Sequence, residues 1–206
     1  AKVVHMALDD IPTLSAALSS LGALVIDDVD TGALSAEQKD SIEAWVGRGG
    51  MLIGMGRPSG AGALSGIADL LPVTLGPPRP VGSLRDLGDL VSMPLAGEGT
   101  LAPASTLKSG PGIVARVLAS DGSAPLVAVR ELGYGQVAYM ALSPAVAPLK
   151  GWDGTLPLVK RIMADHPVRI SGAASRRLGS TLQPVSSSRE FGFRLAVNSW
   201  PSSTSL

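Results

Sequence analysis

Short apolar runs of strand length alternate along the chain with stretches of helical spacing. The run "VVHMAL" (3–8) predicts a strand, and "IPTLSAALSSL" (11–21) puts Leu14, Ala17, Leu18 and Leu21 on one helical face. "GALVIDDVD" (22–30) predicts a second strand. It is apolar at every position until it meets acid, as expected for a strand covered on both faces of a parallel sheet. In "LSAEQKDSIEAWVGRGG" a capping box is spelled by Ser35 and Gln38, an apolar face by Ile42, Trp45 and Val46, and a stop by Gly49-Gly50. "MLIGM" (51–55) then predicts a third strand and "ALSGIADLLP" (63–72) a third helix closed by Pro72. Three β–α units in succession predict a doubly wound, largely parallel sheet.

The pattern breaks between residues 73 and 112, where "LGPPRPVGS" and "SGPG" predict a long loop excursion, either a lid or a segment without regular structure. Strand-like runs resume on either side of an Asp121-Gly122 turn, and Gly133-Tyr134-Gly135 turns into the run "QVAYMAL", so a β-meander is expected beside the parallel sheet. "TLPLVKRIMAD" (155–165) reads as a closing helix, with Thr155 as its cap and Leu158, Val159, Ile162 and Met163 on one face. The organisation is therefore an α/β domain over residues 1–166. A serine-rich tail follows (167–206) with one alternating run, "REFGFRLAV" (189–197), whose strand belongs either to this sheet or to a neighbour.

Composition narrows the function classes. With 17 basic and 17 acidic residues there is no basic footprint for nucleic acid, so that partner is set aside. The absence of cysteine removes disulfides, thiolate metal sites and cysteine nucleophiles together, without deciding the compartment. Aromatics are 3% of a chain whose mean hydropathy is +0.30, so the core must be built from Ala, Val, Leu and Ile. No apolar stretch approaches the roughly 18–20 residues that span a bilayer, and the chain reads as a soluble domain. It opens in an apolar run without an initiator Met or a signal-peptide pattern, which suggests a piece of a longer protein.

Candidate chemistry centres on the turn after the third strand. Gly54-Met55-Gly56 has the small-residue frame of a nucleophile elbow, but Met55 stands in the nucleophile's place and a thioether does not attack a carbonyl. Ser59 lacks the flanking glycines of the serine version. Gly60 and Gly62 leave backbone N–H groups unobstructed before a helix, a geometry that suits an anion with Arg57 as clamp; the plainer reading is a tight turn without chemistry. Asp27, Asp28 and Asp30 fall at the carboxyl end of the second strand, where a hard cation such as Mg²⁺ is one expectation and loop-organising Asx turns the other. The G-x-G-x-x-A matches at Gly133 and Gly110 lead into strand-like runs, so neither places a phosphate on a helix dipole. His5 reads as a packed strand residue and His166 as a residue at the end of the last helix.

The run "ALVIDDVDTGALSAEQKDSIEAWVGRGGMLIGMG", followed by "LGYGQVAYMALSP" and "GW", resembles the class I glutamine amidotransferase-like superfamily, in particular the amidotransferase-like domains of bacterial membrane-associated proteins. The resemblance covers about residues 20–72 and 125–165. It implies a flavodoxin-like or amidotransferase-like three-layer α/β sandwich carrying the β-meander as an extension. Active members use an elbow cysteine with a histidine and an acid. Met55 at that place, in a chain without cysteine, argues against glutaminase chemistry by that route. The expected function is thus a non-catalytic binding or interaction module of a bacterial envelope protein, without a cofactor. Its partner would be a protein or a small ligand, homodimerisation is the default association, and membrane tethering would run through segments outside these residues. An extracytoplasmic setting is expected, with the cytoplasm as the alternative. Two other functions stay open: a hydrolase using Ser59 or a metal-bound water at the aspartates, and a small-molecule sensor closed by residues 73–112.

Overall fold

The computed structural model describes residues 2–57, 61–97, 100–164 and 194–196. Its centre is formed by three buried runs that are apolar at every position but Gln136. Strands β2 (Ala23–Ile26), β3 (Met51–Met55) and β8 (Gly135–Met140) are buried along their whole length and lie side by side in parallel. Unbroken apolarity is what a strand needs when elements cover both faces of the sheet. The seven-stranded sheet runs β1 (Lys2–Val3), β9 (Arg194–Ala196), β2, β3, β8, β7 (Pro125–Leu132) and β6 (Ala115–Ser120). Its first five strands are parallel, and the last two complete the expected meander in antiparallel register.

Helix α1 (Ala36–Gly47) carries the capping box read from the sequence: Gln38 N–H donates to Ser35 Oγ at 3.2 Å and Ser35 N–H to Gln38 Oε1 at 3.0 Å. Its buried face is Ser41, Ile42, Trp45 and Val46. The two-residue turn Gly133-Tyr134 presses on the last turn of this helix, where Tyr134 N–H donates to Gly47 O at 2.9 Å. Gly133 adopts φ +62°, and a β-carbon there would collide with the Gly47 carbonyl, so the turn needs glycine for both conformation and space.

Several expectations are corrected. The first strand is two residues long, because Ala7 N–H bonds the Asp10 carboxylate and turns the chain into a 3-10 turn, Leu8–Asp10. His5 lies beyond that strand and is exposed; His166 falls outside the described residues. The first predicted helix is a 3-10 helix, Ser15–Ser20, in which Leu18 is buried while Leu14 stands 73% exposed. The third is a 3-10 helix as well, Ala61–Leu70. Leu64, Ile67 and Leu70 recur every third residue, and three residues per turn aligns them on one buried edge.

The proline-rich excursion is an ordered ribbon. Strand β4 (Val73–Pro80) pairs antiparallel with β5 (Leu101–Leu107), and a short helix α2 (Arg85–Asp89) lies between them. A two-stranded ribbon consists only of edge strands, so each proline can turn its missing N–H side outward, and a register shift between Leu75 and Pro78 absorbs Gly76-Pro77. The closing helix α3 spans Thr155–Ala164 and buries Leu158, Val159 and Ile162; Thr155 is its first residue and donates its hydroxyl to Leu149 O. The strand read within "REFGFRLAV" is β9, and it belongs to this sheet, between β1 and β2.

Candidate functional site

Parallel neighbours end on the same side of a sheet, so the residues after β2, β3 and β8 share one carboxyl edge, the edge on which open α/β sheets hold ligands. Asp27 follows β2, Gly56-Arg57 follows β3 and Ser143 stands three residues past β8. These side chains meet. Ser143 Oγ–H donates to Asp27 Oδ2 at 2.7 Å, and Arg57 Nε faces Asp27 Oδ1 at 3.4 Å while its Nη1 reaches Asp28 Oδ2 at 3.0 Å. Ala145 N–H in turn donates to Ser143 Oγ at 3.0 Å.

Burial sets the electrostatics. Asp27 is 2% exposed and Ser143 fully covered, whereas Arg57 is 16% exposed and Asp28 45%. Loss of water pushes the Asp27 carboxyl above its ordinary 3.8; the Ser143 hydroxyl and the Arg57 guanidinium oppose this without cancelling it. Asp28 holds φ +57°, a left-handed conformation that aspartate tolerates better than most residues.

Asp27 therefore binds a proton more readily folded than unfolded. A raised carboxyl contributes stability below its unfolded value, and that contribution is lost as pH rises through the folded value. In Asp27→Asn the titration disappears. The melting temperature of wild type minus that of the variant is therefore expected to fall as pH climbs from about 4 towards neutrality, the direction burial sets. A difference independent of pH in thermal melts would contradict this account.

The turn after β3 does not form an elbow. Gly56 N–H donates to Met140 O at 2.7 Å, which carries the ladder one residue past β3. Met55 is 3% exposed, so no side chain is lifted above the sheet there. Gly54 lies against Leu64, Ile67 and Leu71. A β-carbon on Gly56 would stand 2.8 Å from Ala141 O and 3.2 Å from Tyr139 Oη. Tyr139 is fully buried, and burial pushes its ionisation up.

Of the remaining candidates, Ser59 and Gly60 lie outside the described residues, and Gly62 is exposed at the start of the 3-10 helix with open space at its β-carbon position. Asp30 takes the Asx role, accepting from Gly32 N–H at 2.9 Å. Arg57 thus holds Asp27 and Asp28 together while Asp30 is engaged within its own loop, and among the described residues no group of three acids or histidines is placed to hold a metal ion. Thr31 closes the loop: its hydroxyl donates to Ala63 O at 2.8 Å and accepts from Gly66 N–H at 2.9 Å. Ser143 is the residue that sequence reasoning missed. The available signal was its position just after the third of three adjacent parallel strands.

The arrangement is a sealed one. Ser143 and Asp27 make a hydroxyl–carboxylate pair, but both are covered, so a substrate carbonyl does not reach Oγ in this conformation. Arg57 ties the β2 and β3 loops together across the top.

No family model matches the chain, and no curated protein matches it. Solved structures do. Cytoplasmic protein STM3548 from Salmonella typhimurium is similar at a TM-score of 0.57 and 16% identity, covering 74% of this chain and 74% of its own. Cytoplasmic protein STM1381 from Salmonella typhimurium LT2 is similar at 0.57 and 17%, covering 75% and 76%. At such identities the likeness speaks for the fold alone, a general α/β architecture. Among the described residues no helix is long and apolar enough to cross a membrane.

Proposed function

We propose that this chain is a non-catalytic binding or interaction module built on a flavodoxin-like, amidotransferase-like version of the α/β fold. One observation carries the reading. Where such an enzyme needs an exposed nucleophile the chain has Met55, 3% exposed, and the nearby hydroxyl, Ser143, is fully buried and donates a hydrogen bond to Asp27. The finer fold assignment draws support from the β2–α1–β3 run and from the late Gly133-x-Gly135-x-Val137 strand lying parallel to β3. An envelope setting rests on the family resemblance; the description of the two Salmonella proteins as cytoplasmic supports the alternative. A partner protein or small ligand would meet the carboxyl edge through the exposed parts of Asp28 and its loop.

A second reading, a hydrolase, is favoured by one distance, the 2.7 Å Ser143–Asp27 hydrogen bond. Both are tested by the same assay, release of product from aryl esters, anilides and glutamine by wild type and Ser143→Ala. The binding module predicts rates at the buffer background for both proteins. Turnover by wild type that disappears in Ser143→Ala would overturn it.

A further inference from the structure

We propose that Lys108 and Arg130 hold the phosphate of a small phosphate monoester whose body lies in the groove between β5 and the β6–β7 hairpin. The two cations come from different strands and converge on the end of the 3-10 helix Ala61–Leu70. Lys108 Nζ donates to Ala68 O at 2.6 Å, and Arg130 Nη1 donates to Asp69 O at 2.9 Å. Carbonyl oxygens accept these bonds without neutralising either charge. Among the described residues neither cation forms an ion pair, and the buried Arg130 Nε donates to nothing. Burial and the Arg130 charge both press Lys108 below its ordinary value, and the attraction of the exposed Asp69 does not cancel them. An anion beside both groups relieves that repulsion. A phosphate monoester, with a charge of about −1.5 to −2 and several acceptor oxygens, matches two cations better than a single carboxylate does.

Room for the body lies alongside. A groove of about 320 Å³ has Ser105, Leu107, Val117, Ser120 and Ser123 in its lining. Leu107 immediately precedes Lys108. Val117 stands opposite Ala128, and the next pair on the same face of the hairpin is Ala115 with Arg130. Both cations therefore belong to one end of the groove. At the other end Ser120 donates to Asp86 Oδ2 from its N–H at 3.2 Å and its hydroxyl at 3.1 Å, and Asp121 is paired with Arg79. Acid at one end and cations at the other orient an anionic head towards Lys108 and Arg130. Serine hydroxyls beside Leu107 and Val117 suit a small uncharged body with hydrogen-bonding groups. None of these residues belongs to the Asp27–Ser143 site, so the proposal stands or falls independently of whether that edge is catalytic.

The test titrates the isotope-labelled full chain with inorganic phosphate at an ionic strength held constant by sodium chloride, and follows the amide resonances. Saturable shifts are expected at Asp69, Lys108 and Arg130 and their chain neighbours. Glycerol 3-phosphate is expected to extend them to Ser105, Val117 and Ser120. Lys108→Gln and Arg130→Gln should each weaken the affinity about tenfold or more, with the remaining resonances in place. Arg130→Gln also removes a bond to the helix end, so Lys108→Gln decides the matter if that variant does not fold. Shifts that fail to saturate would overturn the proposal, as would equal affinity in Lys108→Gln or succinate binding as tightly as phosphate. Glycerol 3-phosphate that leaves Ser105, Val117 and Ser120 unmoved would overturn the placement of the body.

Discussion

Gly66→Ala is expected to lower stability by about 3 kcal/mol, the upper part of the range for overpacking, which is roughly 6–12 °C in melting temperature for a chain of this length. A β-carbon at this position would fall on the Thr31 carbonyl, and the contact is with backbone, which cannot swing aside as a side chain would. Thr31 is fully buried and already ties the β2 loop to the 3-10 helix through Ala63 O and Gly66 N–H. The added methyl forces these two elements apart just beside Asp27 and Asp28. Thermal melts measure the loss, and a change under about 2 °C would mean that the loop yields easily and that the close approach has little mechanical weight.

Asp121→Ala should cost a comparable amount, about 3 kcal/mol, near the lower end for breaking a buried charged pair because Arg79 keeps some contact with water. The Asp121 side chain is 1% exposed. It accepts from Ser123 N–H at 3.0 Å and Ala124 N–H at 2.8 Å, and pairs with Arg79 Nη2 at 2.6 Å. Arg79 sits near the far end of the β4–β5 ribbon, so this pair fastens the ribbon to the meander turn. Burial by itself would raise the carboxyl, but the Ala124 and Ser123 amides and the Arg79 guanidinium outweigh it and hold it well below 3.8. The sign is opposite to that of Asp27: the stabilisation is complete above the unfolded value and is lost as pH falls below about 4. Denaturant titrations should therefore show wild type and Asp121→Ala converging in acid. A gap that persists undiminished there would put the effect in packing and not in charge.

What could be read beforehand followed the range of the interactions. The α1 cap needed Ser35 and Gln38, three residues apart, and "MLIGM" needed only continuous apolarity, so both were legible in the text. The 3-10 helix at Ala61–Leu70 was not, because apolar residues at every third place also lie on one α-helical face; the docking of Gly66 on Thr31, 35 residues away, is a tertiary feature. The ribbon was hidden because prolines that break an interior strand are harmless on an exposed edge. Half of the candidate site was legible: the acid after β2 was singled out for its place at a strand end, and Arg57 as a clamp in the turn after β3. Ser143 was not, since its partner Asp27 is 116 residues distant and only the neighbouring placement of β8 and β3 brings the two ends of the sheet edge within reach.

The strand order also governs when the sheet can be finished as the chain is made. Among the described residues β1 pairs with β9 alone, and β9 is the last strand in the sequence. At about 5–20 residues per second, some 190 residues of synthesis separate the two partners by roughly 10–40 s. A nascent chain therefore has β2, β3 and the meander made by residue 140, some 54 residues before β9 gives β1 anything to bond. Until then Lys2 and Val3 are available to whatever factor meets them in transit.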